Sequence, residues 1–374
     1  MTRLAVLSTD PGISWGATKG AAVHLSELTG ALARRVGSVE VFVSGIAAAG
    51  APTGVTVTPL SGPGKAASAT ARLAADPERA EWLVQRLRPS PPAALYERFA
   101  LHTQAGSCAA KALGIPHLVE LNAPLVEEAR RYRSLDEPEA AVELERAVLS
   151  RADVVLAVSR PLAEHAEQLG ARRVSVVPNG VDLRHFPDRR QAGPPVAVFL
   201  GTLRPWQGLE VIADAWRLLG ADAPDLLVVG DGPGREVLEA VGAEITGALR
   251  HDAVPAQLAR AGIGLAPYVA EGPSWFSPLK LFEYLASGLA VVAADLPGVV
   301  DVVGERRDVA LLVPQGSAGS LAAAVADLAA DESRRAALGQ CGRALVAGAH
   351  TWDHRAAEVI HLVEDRSLSR DARQ

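Results

Sequence analysis

From end to end the chain alternates short apolar runs with longer stretches in which apolar residues recur at helical spacing. That alternation admits few architectures. The valine- and leucine-rich runs of the first half are Leu4–Leu7, Val39–Val43, Val55–Thr58, Ala94–Tyr96, His117–Leu121, Val154–Val158 and Val174–Val177. They lack strict polar alternation, as strands covered on both faces of a parallel sheet do. Helical patterns separate several of them, among them Ala21–Arg35, Pro77–Leu87 and Glu137–Leu149, with Asp76 before Pro77 as a start signal for the second. A second series runs through Val196–Leu200, Leu226–Val229, Glu244–Thr246, Ile263–Ala266, Ala290–Ala293 and Ala310–Val313. The pattern predicts an α/β protein built from two doubly wound, Rossmann-like domains in succession.

A length of 374 residues suits two domains, and at 49% hydrophobic composition each has enough apolar residues for a core. Turn residues Pro178-Asn179-Gly180 and the polar stretch from Pro187 to Pro195 mark a linker, so the expected domains are 1–185 and 186–351. The helical stretch Trp352–Val363 follows a second domain that is already complete. A terminal helix over about 352–374 is therefore expected to pack back on the first domain. The formal net charge of −6 argues against a dedicated nucleic-acid binder, and 4% aromatics are few for a base-stacking platform. Cys108 and Cys341 are too far apart in sequence for a disulfide framework or a paired-cysteine metal site. The apolar run after Arg3 is short for a signal peptide, and no run approaches the ~18 apolar residues of a spanning helix. A cytoplasmic protein without a transmembrane segment is expected, monomeric or homodimeric, with peripheral membrane contact left open.

Four segments carry candidate chemistry. In Ser277-Pro278-Leu279-Lys280-Leu281-Phe282-Glu283, Ser277 suits an N-cap and Pro278 the first helical position, with Gly288 as the stop. Leu279, Phe282, Leu285 and Ala286 share a face. The backbone N–H groups of Leu279 and Lys280, with the lysine beside them, form an anion site by geometry and field. Glu283, one turn deeper, can accept from vicinal hydroxyls such as those of a ribose. A capped surface helix with a solvated lysine–glutamate pair has the same pattern. In Phe199-Leu200-Gly201-Thr202-Leu203-Arg204-Pro205-Trp206-Gln207-Gly208, Gly201 allows close backbone approach and Arg204 a two-point phosphate contact; a plain strand–helix connection also fits. Gly230-Asp231-Gly232-Pro233-Gly234 is an incomplete dinucleotide fingerprint that reads more readily as a structural turn. The loop Asp10–Gly20, with Gly12 and Gly16, faces a ligand or simply connects. His24 beyond it either lines a cleft or packs within its helix. His350 and His354 lack the glutamate of a zinc-protease helix, and no metal site is expected. The cluster Arg130-Arg131-Tyr132-Arg133 reads as a solvated helix face or as a surface for an anionic acceptor or headgroup.

Taken in order, these segments resemble the GT-B nucleotide-sugar glycosyltransferases, specifically the retaining family 4. The resemblance is carried by Gly12–Leu28, Ala157-Val158-Ser159, Val177-Pro178-Asn179-Gly180-Val181-Asp182, Phe199-Leu200-Gly201 with Gly208, Val229-Gly230-Asp231-Gly232-Pro233, Ser277–Gly288 and Ala310-Leu311-Leu312-Val313-Pro314. It implies two Rossmann-like domains facing a cleft, with a donor such as a UDP-sugar on the C-terminal one and a hydroxyl-bearing acceptor on the N-terminal one. It implies hexosyl transfer with retention, without metal or other cofactor. Glu283 matches the second glutamate of the family's paired motif and is expected on the donor ribose. Gly201, Thr202, Ser277, Leu279, Gly12 and Gly16 are expected around the donor, Lys280 and Arg204 as catalytic cations, and His24 and Asn122 on the acceptor side.

The sequence departs from the family pattern in three respects. Trp275 stands where the first motif glutamate is usual, with Glu271 as the nearest substitute. Thr202 and Gln207 replace an arginine and a lysine, so Arg204 and Lys280 are expected to supply the phosphate charge. Asn122 follows the strand His117–Leu121 where a histidine is usual. A non-catalytic nucleotide-sugar binding protein and a GT-B epimerase are the alternatives.

Overall fold

The structure, a computed structural model, describes residues 3–132, 134–186, 195–269, 275, 277–304 and 308–371. The chain divides into two compact units, one of Met1–Pro178 with Trp352–Gln374 and one of Asn179–Thr351.

Unit 1 runs β1 (Arg3–Ser8), α1 (Gly20–Val36), β2 (Ser38–Val43), β3 (Val55–Pro59), α2 (Ala69–Leu87), β4 (Ala94–Arg98), α3 (Ala105–Leu113), β5 (His117–Leu121), α4 (Leu125–Tyr132), α5 (Pro138–Arg151), β6 (Val154–Ala157), α6 (Arg160–Gln168) and β7 (Val174–Val176). Its strands form one parallel sheet in the order β3-β2-β1-β4-β5-β6-β7. The strand order reverses at β1, whose neighbours are β2 and β4, and ligands of open α/β sheets bind beyond the strand ends at such a point. Unit 2 runs β8 (Val196–Leu200), α7 (Leu209–Leu219), β9 (Asp225–Val229), α8 (Arg235–Glu239), β10 (Glu244–Ile245), α9 (Val254–Leu258), β11 (Ile263–Ala266), α10 (Leu279–Ala286), β12 (Ala290–Ala294), α11 (Pro297–Val303), β13 (Ala310–Val313), α12 (Ala318–Ala330) and α13 (Glu332–Ala349). Its parallel sheet has the order β10-β9-β8-β11-β12-β13, which reverses at β8. Both sheets have the doubly wound pattern, and apolar side chains cover both faces of the unit 2 sheet.

The last helix, α14 (Trp352–Asp371), lies along α1 in unit 1. The Arg34–Asp353 ion pair at 2.9 Å and the Trp352 ring edge-on to His24 at 4.9 Å fix it there. The chain divides after Pro178 and not at the expected 185/186. Val181 pairs with Thr351, and Val181 and Phe186 are buried in the unit 2 core, so the turn residues belong to the second unit. Residues 187–194 of the expected linker lie outside the described residues. A second correction concerns α2, which begins at Ala69, eight residues before the expected first residue Pro77. Ser68 Oγ caps it by accepting from the Ala71 N–H, and Pro77 sits inside the helix. Asp76 is buried and instead accepts from Thr103 Oγ1 at 2.5 Å and the Gln104 N–H at 2.8 Å, just before α3.

Candidate functional site

In unit 2, β8 and β11 are bridged at Ala197–Ile263 and Val198–Gly264 and then separate. Tyr284 of α10 closes the gap. Its hydroxyl accepts the Leu200 N–H at 2.7 Å and donates to the Leu265 carbonyl at 3.2 Å. Gly264 makes room for the ring, since a Cβ there would lie 2.8 Å from it. This wedge fixes α10 against the reversal point of the sheet, and with it Lys280 and Glu283, which precede Tyr284 by four residues and one.

Lys280 is buried, with 7% exposure, which removes the reading of a solvated pair. Its Nζ donates to Gln207 Oε1 at 2.6 Å and lies 3.8 Å from the Phe199 ring centroid and 4.9 Å from that of Tyr268. Gln207 is its only hydrogen-bond acceptor among the described residues. Burial pushes the ammonium well below the ordinary lysine range, and the opposing charge of Glu283 only partly offsets this. Gly201 stands beside it with φ +141°, and a Cβ there would come within 3.2 Å of Nζ. Thus Gln207, at a position expected to lack positive charge, orients the Lys280 ammonium.

Glu283 is also buried and lies 2.8 Å from His251 Nε2 through Oε1. His251 has no distinguishing pattern in the sequence; only its place after β10 brings it to Glu283. Ser277 does not cap α10. Pro278 occupies the cap position, while Ser277 Oγ accepts the Asn179 N–H at 3.0 Å and its carbonyl accepts from Asn179 Nδ2 at 2.5 Å. Leu279 is half-buried, so the apolar face is made by its neighbours. Thr202 and Arg204 are exposed, and the Arg204 guanidinium stands 5.9 Å over the Trp206 ring. The structure therefore brings Gln207, not Arg204, to Lys280. Gly230 and Gly232 serve loop packing: Cβ atoms there would lie 1.9 Å from the Gly201 carbonyl oxygen and 2.8 Å from the Leu203 nitrogen. Trp275 is half-buried, and Glu271 lies outside the described residues.

The acceptor-side candidates lie in unit 1, within a buried polar hub. Register aligns Ser8 with Arg98 and Arg98 with Glu120, so Tyr96, Arg98 and Glu120 share one sheet face. His24 Nε2 is 2.5 Å from Glu120 Oε1, and Arg98 Nη1 donates to Oε2 at 3.3 Å. The Tyr96 phenol also hydrogen-bonds Glu120, and Asn122 acts on the same carboxylate. Burial pushes this carboxyl up, but His24, Arg98 and Asn122 outweigh it and hold it at about 2. Burial and the hydrogen bond to Glu120 push the Tyr96 phenol well up. His24 is thus packed and paired beneath the strand ends. Gly12 and Gly16 also lie in unit 1. The Gly12 N–H donates to Asp10 Oδ1 at 2.7 Å, and Gly16, at φ +74°, has no room for a Cβ against Ala48. Ser8 Oγ and Thr9 Oγ1 are buried without a hydrogen-bond partner among the described residues.

Two family models match, one in each half: Glycosyltransferase Family 4 over residues 18–185 and Glycosyl transferases group 1 over residues 194–331. A GDP-mannose-dependent alpha-mannosyltransferase of Mycolicibacterium smegmatis is 32% identical over 63% of this chain and 64% of its own length. A 2-deoxystreptamine glucosyltransferase of Streptomyces kanamyceticus is 29% identical over 59% of this chain and 63% of its own. In both cases the chain spans less than two thirds of the relative. Among solved structures, sucrose-phosphate synthase of Thermosynechococcus elongatus superposes with a TM-score of 0.78 at 19% identity, covering 99% of this chain and 100% of that one. HepE of Anabaena in complex with UDP gives 0.71 at 17%, covering 98% and 100%. With its two Rossmann-like units and a matching family model in each, the chain is a GT-B protein resembling glycosyltransferase family 4.

Proposed function

We propose that this chain is a hexosyl-type glycosyltransferase, moving a sugar from a nucleoside diphosphate sugar to a hydroxyl-bearing acceptor, and that unit 2 holds the donor. The observation that carries this is the buried Lys280 ammonium, set at the reversal point of the sheet beside Gly201 and the N-terminus of α10. A desolvated cation next to first-turn N–H groups favours a diphosphate and stabilises the charge that grows on it as it leaves. Glu283, one turn on, accepts from the ribose hydroxyls. Transfer with retention follows front-face attack. The acceptor oxygen bonds to the anomeric carbon, the bond from that carbon to phosphate breaks, and the acceptor proton passes to the leaving phosphate oxygen. Lys280 supplies the positive charge, so no metal is required.

Unit 1 is assigned the acceptor. Its support is a pair of buried hydroxyls without a hydrogen-bond partner among the described residues, those of Ser8 at the end of β1 and Thr9 just after it, at the reversal point of that sheet. The acceptor class is a small metabolite, a natural-product aglycone or a surface-glycan precursor. A thermal-shift panel of UDP-, GDP-, dTDP- and ADP-sugars, followed by turnover with hydroxylated acceptors, tests the proposal. A donor at 100 times its Kd raises stability by ~2.7 kcal/mol, and turnover with that donor survives EDTA. No shift with any donor, or turnover abolished by EDTA and restored by magnesium or manganese, contradicts it.

A further inference from the structure

His251 opens the short turn His251–Ala253 between β10 and α9. Two of its contacts bear on the orientation of its ring. One face of its surroundings is Phe186, buried in the unit 2 core, whose ring centroid lies 6.1 Å away. The other is the Glu283 carboxylate, at 2.8 Å from Nε2 through Oε1. The two side chains are 23% and 11% exposed, so the pair sits at the rim of the site with little water to weaken it. Glu283 Oε2 has no hydrogen-bond partner among the described residues. The other titratable groups that act on this carboxylate from the elements around it are Lys280 and Tyr284 of α10 and Tyr268 beyond β11. Unlike these three, His251 is in hydrogen-bond contact with it.

A glutamate on a helix has three side-chain torsions, and an unanchored carboxylate loses that freedom only when it binds. A carboxylate already fixed through one oxygen presents the other in a single direction, which lowers the ordering cost of recognition. We propose that His251 is a positioning residue for ribose recognition, holding Oε1 of Glu283 so that Oε2 meets the vicinal hydroxyls of the donor nucleoside. This rests on the reading of unit 2 as the nucleotide-sugar site.

The test is calorimetric titration of UDP and GDP, and of their 2′,3′-dideoxy analogues, into the full chain and its His251 variants. The wild type prefers the ribonucleotide. His251→Ala loses about tenfold in affinity for it, as expected for a hydrogen bond to a charged group, and keeps its affinity for the dideoxy analogue. His251→Gln, which returns a donor near the Nε2 position, recovers most of the loss. If His251→Ala does not fold, His251→Phe keeps the packing on Phe186 without the donor, and the same selective loss is expected. Equal loss on both nucleotides, or none on either, overturns the proposal. A wild type that binds neither diphosphate overturns the reading of unit 2, and this proposal with it.

Discussion

Both units bury charged side chains at the C-terminal ends of their central strands, and they balance the charge in opposite ways. In unit 1 the Glu120 carboxylate is surrounded by His24, Arg98, Tyr96 and Asn122, and despite burial His24, Arg98 and Asn122 lower its pKa to about 2. In unit 2 the Lys280 ammonium has, among the described residues, one amide oxygen and two ring faces, and its pKa falls well below the ordinary lysine value. A buried charge with a complete set of partners is a structural element. One with few partners carries a desolvation cost, and an anion beside it relieves that cost. The contrast separates the hub that holds unit 1 together from the cation proposed to act in unit 2.

The largest effect should come from breaking the balanced side. Glu120→Ala leaves Arg98 and His24 buried without their carboxylate and should cost about 3–5 kcal/mol in denaturant unfolding. Acid should do the same more gradually. The folded pKa of Glu120 is depressed from 4.5 to about 2, so its contribution is complete above pH ~4.5 and is lost as the pH falls towards ~2. Stability that stays flat across that window in the wild type would contradict the hub. The under-partnered side should respond in the opposite sense: Lys280→Met should slow turnover on the order of 10²-fold without lowering the melting temperature, because it removes a poorly satisfied charge. A matching loss of stability would remove the contrast. Smaller still, Gln207→Leu frees the ammonium to turn away and should reduce turnover by about tenfold, the scale of one hydrogen bond to a charged group. Arg204→Ala, exposed on Trp206, should change it least; a loss as large as that of Lys280→Met would move the phosphate site onto the Gly201 loop.

The strands were legible because their valine and leucine runs stand out from the helical stretches, and the pattern from Ser277 to Gly288 located α10. The hub was not. Glu97, Arg98 and Glu120 are buried in β4 and β5, where charge is unexpected, so the apolar run of β4 ended at Tyr96 in the sequence but at Arg98 in the structure. Ser277 reads as a cap by residue type alone, but Asn179, far off in sequence, takes its hydroxyl. Tyr284, Gln207 and His251 acquire their roles only through tertiary contacts, at separations of 84, 73 and 32 residues. No local spacing could announce those partners.

The central claim is that Lys280 is the diphosphate's cation. Calorimetric titration of UDP and GDP against uridine and guanosine, in the wild type and in Lys280→Met, tests it most directly. The wild type should prefer the diphosphate by more than about tenfold, as expected for a charge-assisted contact, and Lys280→Met should lose most of that preference while its nucleoside affinity holds. An undiminished preference in a folded Lys280→Met protein would contradict the account.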